Sequence, residues 1–133
     1  MSTSLLKKER YKHLNSYLKN KFGERTLKIC IDGNFTCPNR DGTVGTSGCI
    51  FCSERGSGDH ILCNHIQNSI DSINSQVHNY FSSYKSSRAN KFIAYFQNFT
   101  NTYDSIANLK AKYDAALIDN RIVGLSVATR PDC

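Results

Sequence analysis

No apolar stretch in this 133-residue chain approaches the roughly 20 residues needed to cross a bilayer, which excludes a helical membrane protein. The N-terminal segment MSTSLLKKERYKHLNSYLKNKF is basic, but its charges interrupt the apolar core that a signal peptide requires. The protein is therefore expected in the cytoplasm, with no membrane as partner. There is no internal repeat beyond an alternation of strand and helix patterns, and no low-complexity tract. A charged fraction of 21% against 39% hydrophobic residues is too balanced for disorder, and the length suits one domain with one core. Without an export signal, the six cysteines are read as metal or redox residues rather than disulfides.

The net charge of +6 is concentrated early, in Lys7, Lys8, Arg10, Lys12, Lys19, Lys21, Arg25 and Lys28. Such a run either meets RNA phosphates or forms the solvated face of an amphipathic helix, and the second reading is preferred. Tyr11, Leu14, Leu18 and Phe22 fall three or four residues apart and predict a leading helix within residues 1–23, ended by Gly23. Leu27 to Asp32 reads as the first strand. Gly33 to His60 holds six of the eight glycines and no periodicity, so it is expected as a long functional loop. Ile66, Ile70, Ile73, Val77, Phe81 and Tyr84 predict a second helix, and Phe92 to Gln97 a second strand. Asp104 or Ser105 is placed to cap a third helix with Ile106, Leu109, Tyr113 and Leu117 on its inner face. Ile122 to Val127 is the third strand. Strands separated by helices of this length imply parallel pairing, so the fold class is α/β with a parallel sheet.

The loop carries three thiols, Cys37, Cys49 and Cys52, in TCPNRDGTVGTSGCIFC. It follows a strand and precedes a helix, where parallel α/β proteins place ligands. A Cys-x-x-Cys pair with a third thiol on the same loop lets the sulfurs turn toward one metal centre. Three thiolates suit a four-iron cluster with one iron left open, whereas structural zinc wants a fourth ligand, for which Cys30, His60, Cys63 and His65 are candidates. Spacing alone does not choose between the two. Cys30, inside the first strand, reads as a small packed thiol. His13 and His78 read as surface or packing residues.

The run Cys37-Pro38-Asn39-Arg40-Asp41-Gly42, followed by Gly48-Cys49-Ile50-Phe51-Cys52, resembles the cluster loop of radical S-adenosylmethionine (SAM) proteins. The branch is a bacterial one of unassigned substrate, related to the elongator catalytic subunit and to oxygen-independent coproporphyrinogen oxidase. The likeness continues in Arg10-Tyr11, Lys21-Phe22-Gly23-Glu24, Ser53-Glu54 and Gly56-Ser57-Gly58-Asp59. It extends through Ala94-Tyr95-Phe96-Gln97, Phe99-Thr100-Asn101-Thr102-Tyr103 and Thr129-Arg130-Pro131-Asp132-Cys133.

This resemblance implies a 4Fe-4S cluster on Cys37, Cys49 and Cys52, with SAM chelating the open iron. An electron from a reductant of the flavodoxin or ferredoxin type would split SAM to methionine and a 5'-deoxyadenosyl radical that abstracts hydrogen from the substrate. It implies that Phe51 lies near the adenine; packing beneath the loop is the plainer alternative. In place of the usual glycine-rich motif ending in an acid, the second strand leads into Gln97, Asn98, Thr100, Asn101 and Thr102. Either these amides and hydroxyls accept hydrogen bonds from the SAM amino group, or Thr100 and Thr102 only form a turn and cap the next helix. Arg130 either forks onto a carboxylate of SAM or substrate, or pairs with Asp132 or a further part of the fold. Relatives of such proteins act on tRNA and on tetrapyrroles, so the substrate is expected to be tRNA or a small molecule.

Such domains look like partial (β/α) barrels, and three strands supply part of one. The expectation is a chain truncated after the third strand, whose exposed edge invites a partner chain and whose turnover alone is not expected. The alternative is a zinc-stabilised basic module that binds RNA.

Overall fold

The computed structural model describes residues 10–35, 42–46 and 69–133. Strands β1 (Thr26–Ile31), β2 (Lys91–Phe96) and β3 (Ile122–Val127) form a parallel sheet in the order β1-β2-β3. Helix α1 (Leu14–Phe22) precedes β1, α2 (Ser69–Ser82) and a 3₁₀ turn (Tyr84–Arg88) lead into β2, and α3 (Ile106–Ala116) joins β2 to β3. The expected α/β class and parallel pairing are therefore observed. Thr26 pairs with Lys91 and the ladder runs evenly to Ile31 and Phe96. Between β2 and β3 the register shifts after Phe92, so that Ile93 lies opposite Gly124.

The core lies on one face of the sheet. Ile29 and Ile31, Phe92, Ala94 and Phe96, and Ile122 meet Ile73 and Val77 of α2 and Ala115 and Ala116 of α3. Phe92 receives the edges of Tyr80 and Phe81 at centroid distances of 5.7 and 5.1 Å, a geometry that suits aromatic quadrupoles. Cys30 lies on the opposite face and is half-buried; that burial pushes its thiol pKa up and keeps it protonated.

The helices differ from expectation at their ends. Helix α1 begins only at Leu14, because the His13 side chain accepts from the Asn15 N–H at 3.2 Å and caps it, a partner the sequence did not suggest. Gly23 ends it at φ 77°, as expected. Of the anticipated apolar face, Leu18 is buried and Phe22 half-buried, while Tyr11 and Leu14 are exposed. A helix of about two and a half turns at the rim of a small sheet does not bring all four positions onto it.

Tyr84 falls in the 3₁₀ turn rather than α2 and is exposed. Helix α3 is capped by Ser105, whose hydroxyl accepts from Asn108 N–H at 3.3 Å, so Ile106 stands in its open first turn and Leu117 at its C-cap. Both are exposed, and the inner face is instead Leu109, Lys112, Tyr113 and Ala116. Lys112 is buried there because its amine lies 3.0 Å from Asp104 and 4.0 Å above the Phe35 ring. Among the described residues no helix is long and apolar enough to cross a membrane.

Candidate functional site

All three strands end at the same edge of the sheet, and the segments leaving them are tied together there. Strand β1 stops one residue earlier than expected, since the backbone of Asp32 pairs with a side chain instead of a strand. Gln76, on the inner face of α2, accepts from Asp32 N–H at 2.9 Å and donates to Asp32 C=O at 2.8 Å. Its amide thus replaces one rung of a ladder. The carboxylate of Asp32, itself buried, accepts from the Asn34 N–H at 2.9 Å and from the Asn98 amide at 3.2 Å. The first bond closes a turn in which Asn34 takes φ 54°, a left-handed conformation that asparagine tolerates.

Gly33 has no room for a side chain: a Cβ there would sit 2.5 Å from the Phe35 ring and 3.1 Å from that of Phe96. Residues 32–35 are therefore a rigid exit from β1. The Asn34 amide reaches the Ser69 hydroxyl at the start of α2, at 3.5 Å. Thr43 bonds Tyr103 at 3.2 Å, which joins residues 42–46 to the segment after β2. Cys37, Cys49, Phe51 and Cys52 lie outside the described residues, as do His60, Cys63 and His65. Among the described residues, no group of three or more His, Cys, Asp or Glu side chains is arranged to hold a metal.

The segment after β2 packs against the one after β3. Ala128 N–H donates to Phe96 C=O at 2.9 Å and carries the ladder one step beyond β3. Asn101 then donates to Ala128 C=O twice, from its backbone at 3.1 Å and its amide at 2.9 Å. Tyr113 of α3 donates its hydroxyl to Asn101 C=O. Thr102 bonds Thr129 and, at 3.0 Å, the carbonyl of Cys133. Phe99, at φ 61°, makes the sharp bend that permits this packing.

The sequence-selected residues Gln97, Thr100, Asn101 and Arg130 thus share one edge. Gln97 is half-buried, whereas Thr100 and Asn101 are fully enclosed. The Thr100 carbonyl accepts from Tyr103 N–H at 3.2 Å, the turn anticipated as the plainer reading, but the cap of α3 comes from Ser105 and not from either threonine. Arg130 forks onto Asp132 at 2.7 and 2.8 Å, and this holds the Asp132 carboxyl below its ordinary pKa.

Two atoms here stand out. The side-chain oxygens of Asn98 and Asn101 are buried and accept no hydrogen bond from the described residues. A buried acceptor without a donor is costly, and water or an ammonium group is the species that relieves it. The Asp32, Gln76 and Asn98 network was not anticipated. Its one sequence signal is Gln76, a polar residue between Ile73 and Val77 on an otherwise apolar helical stripe.

No protein-family model and no solved structure matches this chain. It is similar to the uncharacterised protein YtqA of Bacillus subtilis, with 43% identity over 126 residues, covering 94% of this chain and 38% of that protein. It is 36% identical over 121 residues to the protein YhcC of Escherichia coli, covering 87% of this chain and 35% of its counterpart. To the uncharacterised protein MJ0486 of Methanocaldococcus jannaschii it is 34% identical over 117 residues, covering 88% and 34%. The chain therefore spans little more than a third of the length of these curated relatives.

Proposed function

We propose that the chain is the cluster-carrying N-terminal portion of a radical SAM enzyme of the partial-barrel type, holding a 4Fe-4S cluster on Cys37, Cys49 and Cys52 with SAM beside it. One observation carries the reading. The three-thiol segment of the sequence leaves the C-terminal end of a parallel strand, at the edge where the two other strands also deliver polar, interlocked segments. Parallel α/β sheets bind ligands at that edge.

The donor set fits the group. Three soft thiolates suit an iron-sulfur cluster and leave one iron for a small molecule. When bound, the cluster supplies one-electron chemistry toward SAM. The surrounding residues would orient that molecule. Asn98 and Asn101 each present an amide oxygen with no donor among the described residues, the kind of atom that an amino group satisfies. Gln97 and Thr100 add polar groups on the same segment. Arg130 suits a carboxylate, and exchanging the partly exposed Asp132 for another carboxylate costs little because exposed ion pairs are weak. Phe51, next to the last thiol, would pack on the adenine. The rigid turn at Asp32, Gly33 and Asn34 would fix where the thiol segment begins.

The remaining parts of the proposal follow from the same reading: a reductant of the flavodoxin or ferredoxin type, a cytoplasmic setting, and tRNA or a small molecule as substrate. The test is iron and sulfide content, with the visible spectrum, on protein purified and reconstituted without oxygen. About four irons and four sulfides per chain are expected. Cys37→Ser should abolish them and Cys30→Ser should not. One tightly held zinc without sulfide, or loss of metal in both variants, would overturn the proposal.

A further inference from the structure

The segment around α1 carries charge that no carboxylate among the described residues neutralises. Residues 10–23 include Arg10, Lys12, Lys19 and Lys21 and no acid. Glu24, which follows the segment, faces Lys91 at 3.8 Å. Elsewhere Lys110, Lys112, Arg121 and Arg130 each meet a carboxylate within 3.0 Å. None of the four cations of the α1 segment has an ion-pair partner among the described residues.

Aromatic rings lie among these cations. Tyr11 is 70% exposed and its ring lies 5.9 Å from that of the exposed His13. Tyr17 is 38% exposed, with the Lys12 amine 5.0 Å and the Lys21 amine 5.7 Å from its ring centroid. Hydrophobic burial would draw tyrosines inward, yet here α1 turns Leu18 to the body and leaves both rings outside.

From this combination we infer that the outer surface of α1, from Arg10 to Lys21, docks a single-stranded nucleic acid. Phosphates meet these cations, and exposed bases stack on Tyr11 and Tyr17; stacking platforms beside positive charge are the recurrent means of holding a single strand. An anionic membrane fits less well. The helix has nine residues, its central leucine is already committed to the body, and too little apolar surface is left to enter a headgroup layer. An acidic protein would answer the charge and leave the ring faces unused. The inference uses none of the thiols, so iron content and nucleic-acid binding are measured separately.

The test is fluorescence anisotropy of a labelled oligouridine RNA of about 12 nucleotides, titrated with the full chain at several salt concentrations. Binding is expected with a log–log salt slope of about −1.4 to −2.8, as for two to four neutralised phosphates on a single strand. Lys12→Gln with Lys21→Gln should flatten that slope by about 1.4. Tyr17→Ala should weaken binding about 5- to 100-fold at an unchanged slope. Tyr17→Leu, which keeps apolar bulk without a flat ring, should lose as much, with helix content checked by circular dichroism. Lys85→Gln with Arg88→Gln makes the same charge change elsewhere and should leave affinity unaltered. An equal loss in that control, equal affinity for polyglutamate or for phosphatidylglycerol vesicles, or no binding at low salt would overturn the inference.

Discussion

Replacing Gln76 with methionine isolates the contribution of a side chain that stands in for a strand. The glutamine is 9% exposed and makes two bonds to Asp32, accepting its N–H at 2.9 Å and donating to its C=O at 2.8 Å. Methionine has nearly the same length and volume, so no large cavity forms, and its thioether is at most a weak acceptor. Two enclosed backbone groups lose their partners. Each such group costs about 1–3 kcal/mol, partly offset by the gain from burying an apolar side chain in place of an amide. A net loss of about 2–4 kcal/mol is expected, a large share of the roughly 5–15 kcal/mol that holds a typical domain folded.

Urea unfolding followed by circular dichroism measures it. With a slope of about 2 kcal/mol per molar, the midpoint should fall by about 1–2 M at unchanged slope. Gln76→Glu gives an internal check. It keeps an acceptor for the Asp32 N–H but sets a carboxylate against the Asp32 carbonyl, which only a protonated acid can satisfy. Its folded-state pKa should therefore be raised, so this variant should gain stability relative to the parent as pH falls from 7 toward about 5. A Gln76→Met midpoint within error of the parent, or a pH-independent deficit in Gln76→Glu, would refute the reasoning.

Two further outcomes can be measured on the same protein. Gly33→Ala should cost about 2–3 kcal/mol in the same urea assay, because the added methyl would lie 2.5 Å from the Phe35 ring and 3.1 Å from that of Phe96, both of them buried. A loss below about 0.5 kcal/mol would mean that the exit from β1 is not rigid. Asp119 is held at a pKa of about 2, against 3.8 ordinarily, chiefly by its hydrogen bonds to the Arg121 side chain. Its contribution is thus full above pH 3.8 and is lost as pH falls toward 2. Asp119→Asn should melt below the parent at pH 7, and the gap should close over that acid range; a gap that persists at pH 2 would exclude the ion pair as its source.

The strands were legible in the sequence because each is a short apolar run between helical patterns. The expected third strand coincides with the one observed, and the first two each begin and end one residue earlier than expected. The early end of the first is informative, since Asp32 leaves the ladder only because Gln76, 44 positions away, supplies the hydrogen bonds. Helix inner faces were less legible: periodicity marks a stripe but not how far along it the sheet extends, and Tyr11, Leu14, Ile106 and Leu117 lie past that limit.

Local chemistry alone determined the α/β alternation, the three-thiol segment, the helix stop at Gly23 and the helix start at Ser105. These are features set by neighbouring residues and the backbone conformations they favour. Only the tertiary structure decided that Asp32, Asn98, Asn101 and Arg130 share one edge, that Lys112 is buried beneath Phe35, and that Tyr11 and Tyr17 remain outside. Those outcomes depend on parallel pairing, which brings together chain segments that propensity and spacing treat as separate.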